Sequence, residues 1–222
     1  MKTLHPVLPT ANSPTAPTEA IGSGSSVRQF RAGEIIYFEG DEAPRCYQVA
    51  SGFVKEYSML ESGKRQVLDF FGTGELFGIT QDDIHPYTAE AITDCAIRCF
   101  QRESWLKAVT ASPALSEKFM TTLLTRLHRS RERLTMLGRM SATARMAAFL
   151  KRLAEDQGTS EDIRFPMSRQ DIGDHLGLTI ETVCRVFTDL KRRRIIASST
   201  ARLFSIADVE ALDTLSRGDG VA

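Results

Sequence analysis

Glu181, Cys184 and Arg185 fall within one short stretch, TIETVCRVFTDLKRRR from Thr179 to Arg194. On a helix, spacings of three and four place all three on one face, about one turn apart. That face could do two kinds of chemistry. A guanidinium donates two parallel hydrogen bonds to O6 and N7 of guanine, and a carboxylate accepts from N4 of cytosine. A thiol beside a guanidinium favours the thiolate, the form that oxidants attack. The structural alternative for Glu181 and Arg185 is a surface ion pair worth under about 1 kcal/mol. For Cys184 it is an inert packing residue. Val183, Phe187 and Leu190 form the apolar stripe of this helix, and Cys184 lies off it, on the side expected to be exposed.

These residues need a scaffold, and the sequence supplies one from Met167 to Arg194. Ser168 can cap a first helix, with Asp171 adding negative charge to its first turn. Ile172 and Leu176 share a face, Gly177 breaks the helix, and Thr179 can cap the second. This is a helix-turn-helix pattern, whose second helix lies in the DNA major groove and reads bases near its N-terminus. Glu181, Cys184 and Arg185 are therefore the expected base contacts. Ser168, Arg169, Thr179, Thr182 and Arg192 are expected backbone contacts, which add affinity without sequence preference. The run Lys191–Arg194 also reads as a solvated helix end favoured by the macrodipole. Oxidation of Cys184 to sulfinic or sulfonic acid would place an anion against DNA, so the same cysteine is the expected redox-sensitive residue.

The whole chain does not advertise a nucleic-acid partner. Its 222 residues carry 28 basic and 28 acidic side chains, a formal net charge of zero. The charge is local: Thr179–Arg194 holds five basic and two acidic residues, 5 − 2 = +3. Four cysteines, Cys46, Cys95, Cys99 and Cys184, form no CxxC pair and no disulfide framework of a short domain. No apolar run approaches the roughly 18 residues of a membrane helix, and no signal core opens the chain. A cytoplasmic protein with reduced thiols and no membrane partner is expected.

In chain order, residues 1–26 hold four of the eight prolines and then GSGSS, the composition of a disordered tail. From Val27 to about Phe100, glycine turns recur at intervals of about ten residues between strands such as Glu34–Phe38, Tyr47–Ala50 and Gln66–Phe71. That favours an antiparallel β-roll over 27–111. From Ser112 the pattern turns helical. Met120, Leu123, Leu127, Ser130, Leu134 and Leu137 step by three and four, with Arg126, Arg129, Arg131, Glu132 and Arg133 around them. An amphipathic helix packed on its own roll would give that stripe, but its length points to a dimer seam over 112–138, with Met120, Leu123, Leu127, Leu134 and Leu137 at the interface. Gly138 would then be a hinge into a domain spanning 139–222. There Ser141 caps a helix to Glu155, Ile195–Ala197 and Leu203–Ile206 make a wing, and Ala207–Leu215 closes the fold before a frayed SRGDGVA tail. The expected class is α+β.

Roll, long helix and winged helix-turn-helix in this order resemble the CRP/FNR transcription regulators, over about Val27 to Leu215. The most specific motif, Glu181-Thr182-Val183-Cys184-Arg185, is similar to the FNR-type signature Glu-x-x-Ser-Arg with cysteine for serine. With no cysteine before Cys46, that makes the chain similar to the FixK branch of alphaproteobacteria. FNR's iron–sulfur cluster uses several N-terminal cysteines that are lacking here. Cyclic-AMP-binding members carry Gly-Glu-Leu and then Arg-Ser-Ala. Here Gly78-Ile79-Thr80 and Tyr87-Thr88-Ala89 stand in their place, and neither Ile79 nor Tyr87 can hold a ribose phosphate. No cofactor is expected.

The resemblance implies a homodimer reading a TTG/CAA palindrome with two helices about 34 Å apart. It also implies activation through RNA polymerase, with Gln81–Pro86 as a candidate contact, and control of low-oxygen metabolism. Two other classes compete. One is an effector-gated regulator whose roll binds a small molecule, or haem through His85 with Cys46, Cys95 or Cys99. The other is a cupin-like metalloenzyme, but His85 is the one histidine between Val27 and Phe100. His5, His85, His128 and His175 show no metal-ligand spacing, so structural or solvent roles are expected for them and no enzyme is indicated.

Overall fold

Strands dominate the first half because short apolar stretches are cut by glycine turns, Gly33, Gly40, Gly52, Gly63 and Gly74 all having positive φ. The computed structural model describes residues 25–200 and 202–218. It opens with β1 (Ser25–Phe30), β2 (Ile35–Tyr37), β3 (Arg45–Ser51), β4 (Val54–Met59), β5 (Arg65–Phe71), β6 (Leu76–Phe77), β7 (Thr88–Ala91) and β8 (Cys95–Gln101). These form two antiparallel sheets, ordered β1-β8-β3-β6 and β2-β7-β4-β5. Chain neighbours mostly sit in opposite sheets, which is how a roll hides its apolar faces. Val49, Val54, Ala89, Ala91 and Ile97 are fully buried between the sheets, with Phe30, Phe71, Phe77, Tyr37 and Tyr47 around them. Cys95 and Cys99 flank Ile97 on the buried side of β8. The roll begins at Ser25, ahead of the Val27 start that composition indicated. Residues 1–24 and 219–222 lie outside the described residues, and with them most of the two tails.

Helices begin earlier than Ser112. α1 (Arg102–Ala111) follows β8 directly and buries Trp105 and Val109 against Cys46, Leu76 and Phe100. Ser112 then accepts from the Leu115 N–H and caps α2 (Pro113–Arg139), with proline at the first helical position. α2 runs through Gly138 without a break, so the expected hinge is not there. The helix ends when Met140 takes an extended conformation, and Ser141 accepts from the Ala144 N–H to start α3 (Ala142–Gln157). The two-residue joint Met140-Ser141 is where the chain turns.

α2 has two faces of opposite kind. Arg126, Arg129 and Arg133, at i, i+3 and i+7, point into their own chain rather than flanking a seam. Arg126 donates to the Leu76 carbonyl and lies over the Phe71 ring. Arg129 pairs with Asp156 and Glu75, and Arg133 donates to the carbonyls of Val67, Leu68 and His175. On the other face Met120, Leu123, Leu124, Leu127 and Leu134 are exposed. Leu137 is half-buried.

The remaining elements are β9 (Ile163–Arg164), α4 (Arg169–Leu176), α5 (Ile180–Arg192), β10 (Ile196–Thr200), β11 (Leu203–Ile206) and α6 (Val209–Ser216). The wing has the order β10-β11-β9, with β9 a third strand that the sequence pattern did not reveal. Met146, Leu150, Ile163, Ile172, Leu176, Val183, Leu190, Ile196, Phe204 and Leu212 make one core here. Phe53, Phe70 and Ile92 of the roll pack against that same core, so roll and reading domain share apolar surface.

Candidate nucleic-acid interface

The reading helix is α5. Thr179 accepts from the Thr182 N–H to cap it. Val183, Val186, Phe187 and Leu190 bury one side, with Val183 and Leu190 fully inaccessible. α4 is capped reciprocally: Ser168 accepts from the Asp171 N–H at 3.0 Å and Asp171 accepts from the Ser168 N–H at 3.2 Å. The turn is tight because residue 173 is glycine, where an added Cβ would lie 2.6 Å from the Leu178 carbonyl.

The opposite side of α5 carries Glu181, Cys184 and Arg185, all exposed. No ion pair links Glu181 to Arg185, and among the described residues Arg185 has no hydrogen-bond partner. Bonds from its own backbone N–H and from the Thr179 hydroxyl hold the Glu181 carboxyl below its usual range, so it stays an acceptor. Three of the free cysteines are buried; Cys184 is the exposed one.

The expected backbone contacts divide. Thr179 and Ser168 sit at helix N-termini, both exposed, although the Ser168 hydroxyl is committed to Asp171 at 2.6 Å. Thr182 is half-exposed, and Arg192 is exposed and paired with Asp189 on its own helix. Arg169 is not a free surface cation. Its guanidinium stacks 3.8 Å from the Phe187 ring centroid and 4.7 Å from that of Phe165. Aromatic stacking of a half-buried guanidinium explains the difference.

Sequence reasoning missed what holds this interface in place. α4 lies on β5 of the roll. Asp171 Oδ1 accepts from Lys55 Nζ at 2.8 Å and Arg65 Nη2 at 2.7 Å, and Lys55 also reaches Glu90 at 3.0 Å. Arg65 Nε reaches Asp174 at 2.9 Å. The Lys55 and Asp171 side chains are 6% and 7% exposed. Burial alone would raise the Asp171 carboxyl; the bonds from Lys55 and Ser168, with Arg65 nearby, outweigh it and hold it low. His175 is buried between Phe70 and Phe149, with Nδ1 3.2 Å from the Val67 carbonyl. Arg145 closes the joint, donating to Leu137, Met140 and Leu176 carbonyls at 2.8, 3.0 and 3.0 Å. Beside the cluster a cleft of about 420 Å³ separates roll from reading domain, lined by Lys55, Glu90, Arg169, Asp171 and Arg202 among others.

Inside the roll, an aromatic cluster packs against Gly78, the first residue of the stretch that stands in the cassette's place in the sequence. His85 stacks on Tyr37 with centroids 3.6 Å apart, and Tyr47 and Phe77 continue the cluster. Gly78 has φ +64°, and a Cβ there would lie 2.7 Å from Tyr47. Glu56 accepts from the Tyr37 hydroxyl at 2.6 Å and the Gly78 N–H at 3.2 Å, yet burial pushes its carboxyl up. Among the described residues no three His, Cys, Asp or Glu side chains converge as metal ligands, and no helix is long and apolar enough to cross a membrane.

A double-sheet roll joined by a long helix to a winged helix-turn-helix, with an unpaired arginine on the reading face, defines a class of DNA-binding regulator. Residues 27–112 match the cyclic nucleotide-binding domain and residues 144–215 the Crp-like helix-turn-helix domain. The chain is 42% identical to the nitrogen fixation regulation protein FixK of Rhizobium meliloti, over 85% of this chain and 86% of that one. It is 32% identical to the transcriptional activatory protein AadR of Rhodopseudomonas palustris, over 73% and 70%. The solved structure of FixK2 from Bradyrhizobium japonicum is 33% identical, covers 89% of this chain and 98% of that one, and superposes with a TM-score of 0.79. The chain belongs to the CRP/FNR family of transcription regulators and is FixK-like, a DNA-binding regulator and not an enzyme.

The buried imidazole makes this arrangement sensitive to acid. Burial, and then the Arg133 guanidinium, lower the His175 pKa from 6.5 to about 3. The unfolded chain takes up a proton near 6.5 that the folded chain refuses until about 3, so this contribution to stability is present above 6.5 and is lost as pH falls between those values. Urea unfolding of wild type and His175→Gln at a series of pH values checks it: the stability advantage of wild type shrinks as pH falls from about 7 to about 4. A constant difference across that range would contradict the assignment.

Proposed function

We propose that the chain works as a homodimeric transcription activator reading a TTG/CAA palindrome, in low-oxygen or redox-responsive gene control in the cytoplasm, with neither cyclic nucleotide nor an iron–sulfur cluster. The observation that carries this reading is the free face of α5. Arg185 is unpaired and exposed at the helix's N-terminal half, where it can reach guanine O6 and N7, and Glu181 stays ionised to accept from cytosine N4. Cys184 lies between them, and Thr179, Thr182, Ser168 and Arg192 are the proposed phosphate contacts.

Dimerisation is supported by the exposed stripe Met120, Leu123, Leu124, Leu127 and Leu134 on α2, a run of large apolar side chains that water disfavours. Effector independence is supported by Ile79 and Tyr87, which stand where the cassette's carboxylate and guanidinium would be and can replace neither. Activation is supported by the relative named as an activatory protein. For RNA polymerase, the loop Gln81–Pro86 offers exposed Gln81, Asp82, Asp83 and Ile84, braced by Arg102 on Asp83 at 2.9 Å.

Arg185→Ala tests the reading. It is expected to cost about 1–3 kcal/mol of specific binding and to relax preference at one base pair per half-site, read from affinities for single-base variants of the palindrome. Unchanged discrimination at every position would remove Arg185 from base reading.

The exposure of Cys184 on the same face favours a second element, control by oxidation. Peroxide treatment followed by binding measurements compares wild type with Cys184→Ser. The serine variant is expected to bind as the reduced protein does and to resist peroxide; equal inhibition of both would dismiss the cysteine as the sensor.

A further inference from the structure

The covalent link between α2 and the reading domain is the two-residue joint Met140-Ser141, which by itself fixes no orientation. Orientation comes from docking. On the roll side, Lys55 from β4 and Arg65 from β5 converge on Asp171 at 2.8 and 2.7 Å, with Glu90 and Asp174 completing the set. Gln66 adds a bond to the Asp174 carbonyl at 2.5 Å, and Phe70 packs 5.0 Å from the His175 ring. Lys55, Arg65, Gln66 and Phe70 all meet α4, Glu90 holds Lys55, and none lies on the reading face of α5. Such bonds have narrow geometry, so they permit one placement of α4 where an apolar contact alone would allow sliding.

Asp171 serves both sides. It is the third residue of α4 and its capping partner, and it accepts both roll cations, so the N-terminus of α4 is pinned to the roll at the atom level. α5 follows after a tight turn and moves with α4 as one body. The placement of the reading face is thereby set from the roll.

We propose that Lys55 and Arg65 are positioning residues for half-site spacing: they touch no DNA, yet they decide how far apart the two half-sites must be. The proposal rests on the dimer reading above. Adding two base pairs between half-sites moves one of them by about 7 Å and about 70° around the helix axis. A docked reading domain cannot follow that displacement, whereas one swinging on Met140-Ser141 can. Bivalent binding then survives the insertion only when docking is lost.

The experiment compares wild type with the double variant Lys55→Met/Arg65→Met on duplexes carrying the palindrome with no, one or two inserted base pairs, at one fixed salt concentration. The double variant leaves Asp171 without a cation at the docking surface, which favours release of the domain. Wild type is expected to lose about 100-fold or more in affinity at two inserted base pairs, and the double variant less than about 10-fold. Equal, steep losses in a folded double variant would overturn the proposal. Should that variant not fold, Arg65→Gln, which keeps the Lys55–Asp171 bond, replaces it. Its loss at two inserted base pairs is expected to be smaller than that of wild type, and spacing as strict as wild type would overturn the proposal equally. If wild type binds the palindrome no better than a single half-site, the dimer reading itself fails, and that result is separate from any variant.

Discussion

The reading domain is tied to the roll at a buried ion cluster, Lys55 and Arg65 of the roll on Asp171 of α4, set beside the apolar contacts of Phe53, Phe70 and Ile92. Taking these charges out of water costs about as much as their attraction returns, so the cluster is a poor source of net stability. Removing one partner is another matter, since an uncompensated buried charge costs about 3–5 kcal/mol. The cluster is thus a device of placement: weakly stabilising when complete, strongly unfavourable in any other alignment.

The remaining structure follows from that placement. α4 is held, Gly173 lets the turn close, and α5 emerges with its apolar stripe inward and Arg185 free. Arg145 joins the end of α2 to the end of α4 through three carbonyls, and Arg129 and Arg133 of α2 add bonds to Asp156 and to the His175 carbonyl. Inside the roll, Tyr37, Tyr47, Phe77 and His85 stack on one another, and Tyr37 and Tyr47 close on Gly78.

The parts that could be read from the sequence were the local ones. Caps at Ser168 and Thr179, the break at Gly177 and the Val183/Phe187/Leu190 stripe depend on residues within a few positions of each other, so their signal is written in spacing. The roll's strands were legible for the same reason. The docking cluster was not, because Lys55 and Asp171 lie 116 positions apart, and capping already gave Asp171 a sufficient local role. Arg126, Arg129 and Arg133 misled in a related way. Basic residues at helical spacing look alike whether they flank a seam or bond carbonyls of their own chain. Gly138 looked like a hinge because glycine weakens helices, but the backbone bonds continue through it. Arg169 looked exposed because nothing local shows the rings of Phe165 and Phe187 beneath it. β9, at two residues, is too short for any periodicity to show.

The central claim is that the folded chain, reduced and without ligand, already presents a competent reading face. Its most direct test is the affinity of purified, reduced, ligand-free protein for a TTG/CAA palindrome and for a scrambled duplex at one stated salt concentration. The account predicts specific binding about 1,000-fold tighter or more than nonspecific binding, with two chains per duplex. Equal affinity for both duplexes would contradict it, and would mean that docking holds the reading domain in a state that still awaits a signal.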